Sequence, residues 1–538
     1  RLGDWSARHG RPVAVAWVVL LLGLGALAPR AEHALSGAGW EDSTSESVQA
    51  RELVQRHFAG NSGAALTVVV HSPDLTASDP AFRAAVADAE ALLRADERVA
   101  SVAGPRPGAS ISRDGHTALV VAGAAGSTTD MVRAADDLKG PIADVGREGV
   151  TLSLTGSSGM WSDFNTANKE AMLRSEIMSW PVTLGILVLA FGALVAAGLP
   201  LLLTILGLVA TAGSLFLVAQ AFDVSIWAMN FALMFALALG IDYALFLVAR
   251  FRAALLGGRM SPRDAAAVTM DTAGKAVLFS GLTVLISLSA VMLVPSPAFR
   301  SMALGIMLAV VFVLAATLTL LPVVLARLGE RVNRGALPWV HRGGHRSPRF
   351  ARWAERLWRR PAGAGAAALV LLLLLAAPVL GLRTGMPSIA VVPPDDPSRV
   401  GYERVQAAFG PGAPGTLQIV APAADAARAR AVAAADPGIA SVAPVQPGGG
   451  GLAMVQATPR DDPSDPAVGD AIDRLRADLP SAALVGGPAA ENHDLEQALA
   501  SRTPLVIGLV MGLGFLLLLV ALQAPLVAAI GVLTSLLS

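Results

Sequence analysis

A chain of 538 residues that is 54% hydrophobic and only 15% charged, with a mean hydropathy of +0.58, excludes an ordinary soluble domain. The net charge of zero gives no ground for a nucleic-acid partner and conceals a strong segregation of charge along the chain. The absence of cysteine excludes a disulfide framework, a thiolate metal site and a thiol nucleophile.

The chain opens at Arg1 without a methionine and stops at Ser538 inside an apolar run, so it reads as a fragment cut at both ends. The first apolar run, 12–28, follows Arg1, Arg8 and Arg11. It resembles a signal peptide, but the small-residue cleavage pattern is poor and Arg30 follows directly, so residues 1–28 are expected to hold a first spanning helix. Further spans are expected at 180–197, 200–221, 226–248, 273–294, 302–325, 366–382 and 504–522, with a ninth starting at Pro525. Each approaches the roughly 17–25 apolar residues that cross a bilayer. The Gly-Leu-Pro at 198–200 is expected to divide the second span from the third. The second and eighth helices are expected to begin earlier, near Asn165 and Asn492, as continuations from the domains before them.

Charge sets the expected orientation. Arg250, Arg252, Arg259 and Arg263 lie between the fourth and fifth spans. The linker 326–365 carries Arg327, Arg331, Arg334, Arg342, Arg346, Arg349, Arg352, Arg356, Arg359 and Arg360 against two glutamates. The positive-inside rule places both segments, and the amino terminus, in the cytoplasm. The linker serves as a topogenic signal and could also bind anionic lipid headgroups. Residues 29–179 and 383–503 then fall outside.

Both outer segments are expected to follow the order βαββαβ, the ferredoxin-like arrangement. Strands are read at 64–71, 98–103, 117–123 and 150–155, with helices at 80–95 and 128–145. In the second segment strands are read at 415–421, 439–443, 452–457 and 482–486, with helices at 423–435 and 466–479. Local matches support a duplication: VASV at 99–102 against IASV at 439–442, and Asp163 past Gly156 against Asp494 past Gly487. The fold class is therefore a polytopic α-helical membrane protein with two extracytoplasmic α+β domains and an internal duplication. Its second half stops after the eighth span and the start of the ninth.

Asp242 is the only charge in the span 226–248. A carboxylate at membrane depth costs at least roughly 2.5–3.5 kcal/mol, so it reads as functional. It lies eight residues before Arg250, about 12 Å from the end of the helix at 1.5 Å per residue. Desolvation there favours a group that takes up and releases a proton. Tyr243 points about 100° round the helix and is a candidate relay partner. Phe246 shares the Asp242 face and serves as a gate or as packing. Ser280, Thr283 and Ser287 add hydroxyls to the fifth span, as relay groups or as packing residues bonded to their own backbone. Lys275 is expected to snorkel to the headgroups, and 261–276 to form an interfacial cytoplasmic helix started by Ser261 and Pro262. Trp161 and Phe164 line a lipid entry groove or anchor the chain at the interface. No phosphate loop is present, since position 269 is threonine where the first glycine would stand. His341 and His345 lack metal-site surroundings, no hydrolase arrangement stands out, and no cofactor other than the coupling proton is expected.

The layout, the segment GIDYALFLVARFR at 240–252 and the segment TAGKAVLFSGLTV at 272–284 resemble the RND superfamily of proton-driven exporters, most closely the MmpL group of actinobacterial lipid exporters. The resemblance implies a monomeric or trimeric plasma-membrane pump for a lipid or other hydrophobic envelope compound, with possible envelope accessory proteins. It also implies that the Asp242–Tyr243 pair faces a second such pair on a tenth span. Two other classes share the layout: a small-molecule, drug or siderophore exporter, and a non-pumping relative of the SecDF or sterol-sensing type.

Overall fold

The computed structural model describes residues 9–147, 149–257, 260–337, 348–381 and 385–537. The expectations placed on Arg1, Arg8, Arg259, His341, Arg342, His345, Arg346 and Arg383 lie outside the described residues. In chain order, α1 (Gly10–Ala34) is followed by α2 (Glu46–His57) and by a first α/β unit. That unit runs β1 (Leu66–His71), α3 (Pro80–Ala95), β2 (Val99–Ala103), β3 (Thr117–Ala124), α4 (Thr128–Asp144) and β4 (Thr151–Thr155). Five long helices come next: α5 (Ser157–Phe191), α6 (Leu194–Ala219), α7 (Trp227–Leu255), α8 (Pro262–Leu293) and α9 (Pro297–Asn333). After α10 (Pro348–Arg359), α11 (Pro361–Val379) and α12 (Pro397–Phe409) comes the second unit. It runs β5 (Leu417–Pro422), α13 (Ala426–Ala435), β6 (Ile439–Val442), the two-residue β7 (Gln446–Pro447), β8 (Leu452–Pro459), α14 (Pro466–Asp478) and β9 (Leu484–Gly486). The chain closes with α15 (Pro488–Leu522) and α16 (Pro525–Leu537).

The first unit is an antiparallel sheet in the order β2-β3-β1-β4, with Val68 opposite Val120 on one side and Leu154 on the other. The apolar run of β1 suits a central strand covered on both faces. Phe82, Ala85, Ala89 and Leu93 recur at helical spacing on α3 and pack with Met131 and Ile142 of α4 against Leu66, Val68 and Val70. A capping box between Ser127 and Asp130 starts α4. The second unit repeats this order as β6-β8-β5-β9, with β7 added at its edge.

Besides α10, which lies in the expected linker, two helices have no counterpart in the expected elements, and each belongs to the other unit's sheet. Helix α2 precedes the first unit in sequence but packs on β9 and β5 of the second. Helix α12 precedes the second and packs on β4 and β1 of the first. Two buried carboxylates hold this exchange. Asp494 Oδ2 accepts from Ser47 N at the start of α2 (3.1 Å), and Asp163 Oδ2 accepts from Ser398 N at the start of α12 (2.9 Å). Each acid is paired with a cation of its own unit: Arg476 Nη1 at 2.5 Å from Asp494, and Lys139 Nζ at 3.1 Å from Asp163. A carboxylate at a helix N-terminus satisfies an otherwise orphaned N–H and complements the helix dipole. Spatial units and sequence segments therefore do not coincide.

Among the described residues eight helices, α1, α5–α9, α11 and α15, are long and apolar enough to cross a membrane. Helices α5 and α15 both run for 35 residues straight out of an α/β unit. Each starts after a glycine at positive φ, Gly156 at 92° and Gly487 at 99°, a conformation that costs a glycine little. They begin eight and four residues before the expected Asn165 and Asn492. The boundary expected at 198–200 is corrected. Helix α5 ends at Phe191 because Gly192 adopts the left-handed conformation (φ 66°) and donates its N–H to Val188 O. Pro200 lies inside α6 among buried neighbours, where a spanning helix tolerates proline. A second correction concerns 261–276 and 273–294, which form one helix, α8, continuous through a π turn at Met270–Gly274. Ser261 Oγ accepts from Asp264 N at its start (3.2 Å). Lys275 pairs with Asp271 (2.6 Å) on its exposed side. The bundle core gathers Trp17, Leu203, Leu247, Phe251 and Val313, and Trp17 Nε1 donates to Thr319 Oγ1 (2.9 Å).

Candidate functional site

Helix α7 carries the candidate residues Asp242, Tyr243 and Phe246. Its small residues Ala228, Ala232, Ala236 and Gly240 are buried against α6 and α9, which leaves the face bearing Asp242 uncovered. A Cβ on Gly240 would stand 2.3 Å from Thr204 Oγ1 of α6, so this contact requires glycine. Asp242, Leu245 and Phe246 form an exposed stripe, with Phe246 51% accessible. Tyr243 turns inward instead and is 5% accessible. Its hydroxyl lies 3.4 Å from Ser280 Oγ on α8. The structure thus brings Tyr243 and Ser280 together and gives Asp242 no hydroxyl from α8. Thr283 spends its hydroxyl on Phe279 O of its own helix (2.8 Å). Such back-bonding removes a group from any relay until it rotates.

A cavity of about 210 Å³ lies between the two α/β units and the ends of the long helices. Thr67, Leu119 and Val121 of the first sheet, Tyr402 and Val405 of α12, and Met160 and Trp161 of α5 line it. Its aromatic end continues into a cluster. Trp40 stacks on Trp161 at 6.0 Å between ring centroids and meets Trp227 and Phe299 edge-on at 5.5 Å. Phe164 closes the group against Trp161 and Trp227. Trp227 begins α7, so the cavity end and Asp242 share one helix, 15 residues or about 22 Å apart.

The cavity also holds a charged group that sequence reasoning missed. Arg51 of α2 sits 2.6 Å from both Glu41 Oε2 and Glu491 Oε2. Glu491 lies on the first turn of α15, ahead of its apolar stretch from Pro504. Burial pushes its carboxyl up to about 7 against the pull of Arg51. Its Oε1 has no hydrogen-bond partner among the described residues, nor has Trp40 Nε1. Arg51 and Glu491 are 440 positions apart, and only the exchange of α2 brings them together. The spacing of Val48, Arg51 and Val54 on an apolar helix face was the one available signal. Among the described residues no group of three or more acids or histidines is placed to hold a metal ion.

Eight helices long and apolar enough to cross a membrane among the described residues, with two duplicated α/β units set beside them, define the architecture of a multi-pass membrane protein. The MMPL family model matches residues 39–364 and 397–538, and the chain belongs to that family. It is 31% identical to "Mycolic acid-containing lipids exporter MmpL11" of Mycolicibacterium smegmatis over 100% of this chain and 59% of that protein. It is likewise 31% identical to "Heme uptake protein MmpL11" of Mycobacterium tuberculosis, over 97% of this chain and 56% of that protein. "Membrane protein YdfJ" of Bacillus subtilis is 29% identical over 98% of this chain and 74% of its own length. The chain thus spans somewhat over half the length of the MmpL11 relatives it matches.

Proposed function

We propose that this chain works in a proton-driven exporter that moves a lipid or other hydrophobic envelope compound across the plasma membrane, with Asp242 as the proton-carrying group. Asp242 itself carries the reading, as the single carboxylate of an otherwise apolar span and next to a tyrosine anchored on α8. A carboxylate retained at that depth against its insertion cost is best accounted for by proton uptake and release. The exposed stripe of Asp242, Leu245 and Phe246 suits contact with a further spanning helix bearing the second acid that the resemblance implies. Protonation would change how closely that helix packs. One charge moving through 100 mV supplies roughly 2.3 kcal/mol for the step.

The cavity is the cargo compartment in this reading, outside the membrane, with the amino terminus and the basic linker inside. Its mixed lining accepts an apolar body at the aromatic end and a polar group near Arg51 and Glu491. Helices α5 and α15, continuous from the cavity wall into their apolar stretches, would carry movement from bundle to cavity. The names of two relatives, a lipid exporter and a heme uptake protein, both agree with a hydrophobic cargo. The buried charges favour a second reading, in which the cargo is a more polar small molecule such as a drug or siderophore.

The test compares the full-length gene with its Asp242→Asn variant in a deletion strain, at matched membrane abundance. Envelope and intracellular lipids are quantified. Accumulation of one lipid inside both the deletion and the Asp242→Asn cells is the expected result. Normal export by Asp242→Asn would leave Asp242 a structural residue.

A further inference from the structure

The two α/β units line the cavity with equivalent positions that differ in chemistry. Helices α2 and α12 align through Val54, Gln55 and Phe58 against Val405, Gln406 and Phe409, which makes Arg51 the equivalent of Tyr402. Gly487 and Gly156 precede α15 and α5, which makes Glu491 the equivalent of Met160. All four residues line the cavity. One wall is therefore an ion pair and its duplicate is largely apolar, since Tyr402 has given its hydroxyl to Asp462 Oδ2 (3.0 Å). Such a pocket distinguishes the two ends of an amphiphile.

Charge decides which head group the polar wall accepts. The charged residues that line the cavity are Glu41, Arg51, Glu491 and Glu496, three acids against one cation. Arg51 Nη1 already stands 2.6 Å from both Glu41 and Glu491, so an anionic head group would have to compete with two carboxylates for it. Glu496 Oε1 accepts from Met386 N (2.6 Å). Glu491 Oε1 is buried and has no hydrogen-bond partner among the described residues. A buried acceptor of this kind calls for a donor. An alcohol supplies the donor alone, whereas an ammonium group supplies it and also offsets the carboxylate that Arg51 leaves over.

We propose that the cavity takes amphiphiles bearing a primary ammonium group, with the nitrogen at Glu491 and Glu41 and the alkyl body against Met160, Tyr402 and Val405. This rests on the reading of the cavity as the cargo compartment and adds the chemistry of the head group. The charged groups around Glu491 are Arg51 from α2, Glu41 from the segment before it and Asp494 from its own helix. With its carboxyl held up to about 7, Glu491 is protonated in about half of the molecules at neutral pH. An arriving ammonium favours the carboxylate, so binding expels that proton.

The test is isothermal titration calorimetry on the purified chain in phosphatidylcholine nanodiscs, with empty nanodiscs subtracted and octylamine, octanol and octanoate as probes. Octylamine is expected to bind about tenfold or more tighter than octanol, and octanoate to show no saturable binding. Titration at neutral pH in buffers of different ionisation enthalpy should show about half a proton released per octylamine and none per octanol. Glu491→Gln keeps the shape of the side chain. It should abolish the proton release and weaken octylamine about tenfold, with octanol unchanged. Equal binding of the three probes, tighter binding of octanoate, or octylamine binding without proton release overturns the ammonium assignment and leaves the cargo compartment standing. Undiminished octylamine affinity in Glu491→Gln also overturns it. Binding of none of the three probes overturns the compartment reading, and this inference with it. The parent chain decides all but one of these outcomes, so a Glu491→Gln variant that fails to fold does not shelter the proposal.

Discussion

At the scale of single residues, the chain places its most expensive groups where neighbours must answer for them. Asp242 and Tyr243 are adjacent in sequence and opposite in surroundings, one on an open stripe and one held against Ser280. A helix turns about 100° per residue, so adjacent positions serve two different contacts. Arg51 shows the same dependence in the cavity, with Glu41 and Glu491 both at 2.6 Å. Replacing it by methionine keeps the bulk and removes the charge between two largely buried carboxylates, 21% and 15% accessible. A cost of about 3–5 kcal/mol is expected for breaking such a buried pair. Thermal unfolding in detergent should show Arg51→Met melting well below the parent, with Arg51→Lys between them. An unchanged melting curve for Arg51→Met would mean that the cluster contributes little to stability.

At the scale of elements, the exchanged helices α2 and α12 lock the two α/β units together. Their N-termini are held by Asp494 and Asp163, one from each unit. Loss of Asp494 leaves Arg476, whose side chain is 17% accessible, with only the longer contact to Glu46 at 3.4 Å and the Val485 carbonyl at 3.3 Å, so Asp494→Ala is expected to cost about 3 kcal/mol. Lys139 keeps Asp136 at 2.8 Å when Asp163 is removed, so Asp163→Ala should cost less, about 1–2 kcal/mol, near the value of a lost cap. Limited proteolysis separates the two effects. Asp494→Ala should open new cleavage near α2, and Asp163→Ala near α12, each within the sequence half that does not carry the mutation. Identical cleavage patterns in parent and variants would show that the acids do not hold the exchange.

For the whole molecule, orientation is the property on which the proposed transport direction depends. Arginine crowding in the linker, against the acidic excess of residues 29–179 and 383–503, is the basis for expecting the α/β units outside. Single cysteines at the exposed positions Glu97 and Arg428 should react with a membrane-impermeant maleimide on intact cells, and one at Glu330 only after lysis. The reverse pattern would invert the orientation and turn the cavity towards the cytoplasm.

Apolar runs, strand–helix order and the lone Asp242 are local features, and one sequence was enough to read them. Hydrophobic length identifies a span wherever it packs, because the bilayer imposes the same requirement on each. The βαββαβ order of both units was legible for a similar reason, since turn residues and alternation act over a few positions. The split at Gly192 rather than at 198–200 was less legible, because glycine and proline both punctuate a helix and the surroundings choose between them. Membership of the MMPL family followed from motifs of the same local kind. The exchange of α2 and α12, the Arg51–Glu491 contact and the cavity walls came only from the tertiary structure. Their partners lie hundreds of positions apart, and no periodicity in one segment says which distant surface it will cover. The inward turn of Tyr243 likewise required α8 in place, since a helix presents every face equally until a neighbour occupies one.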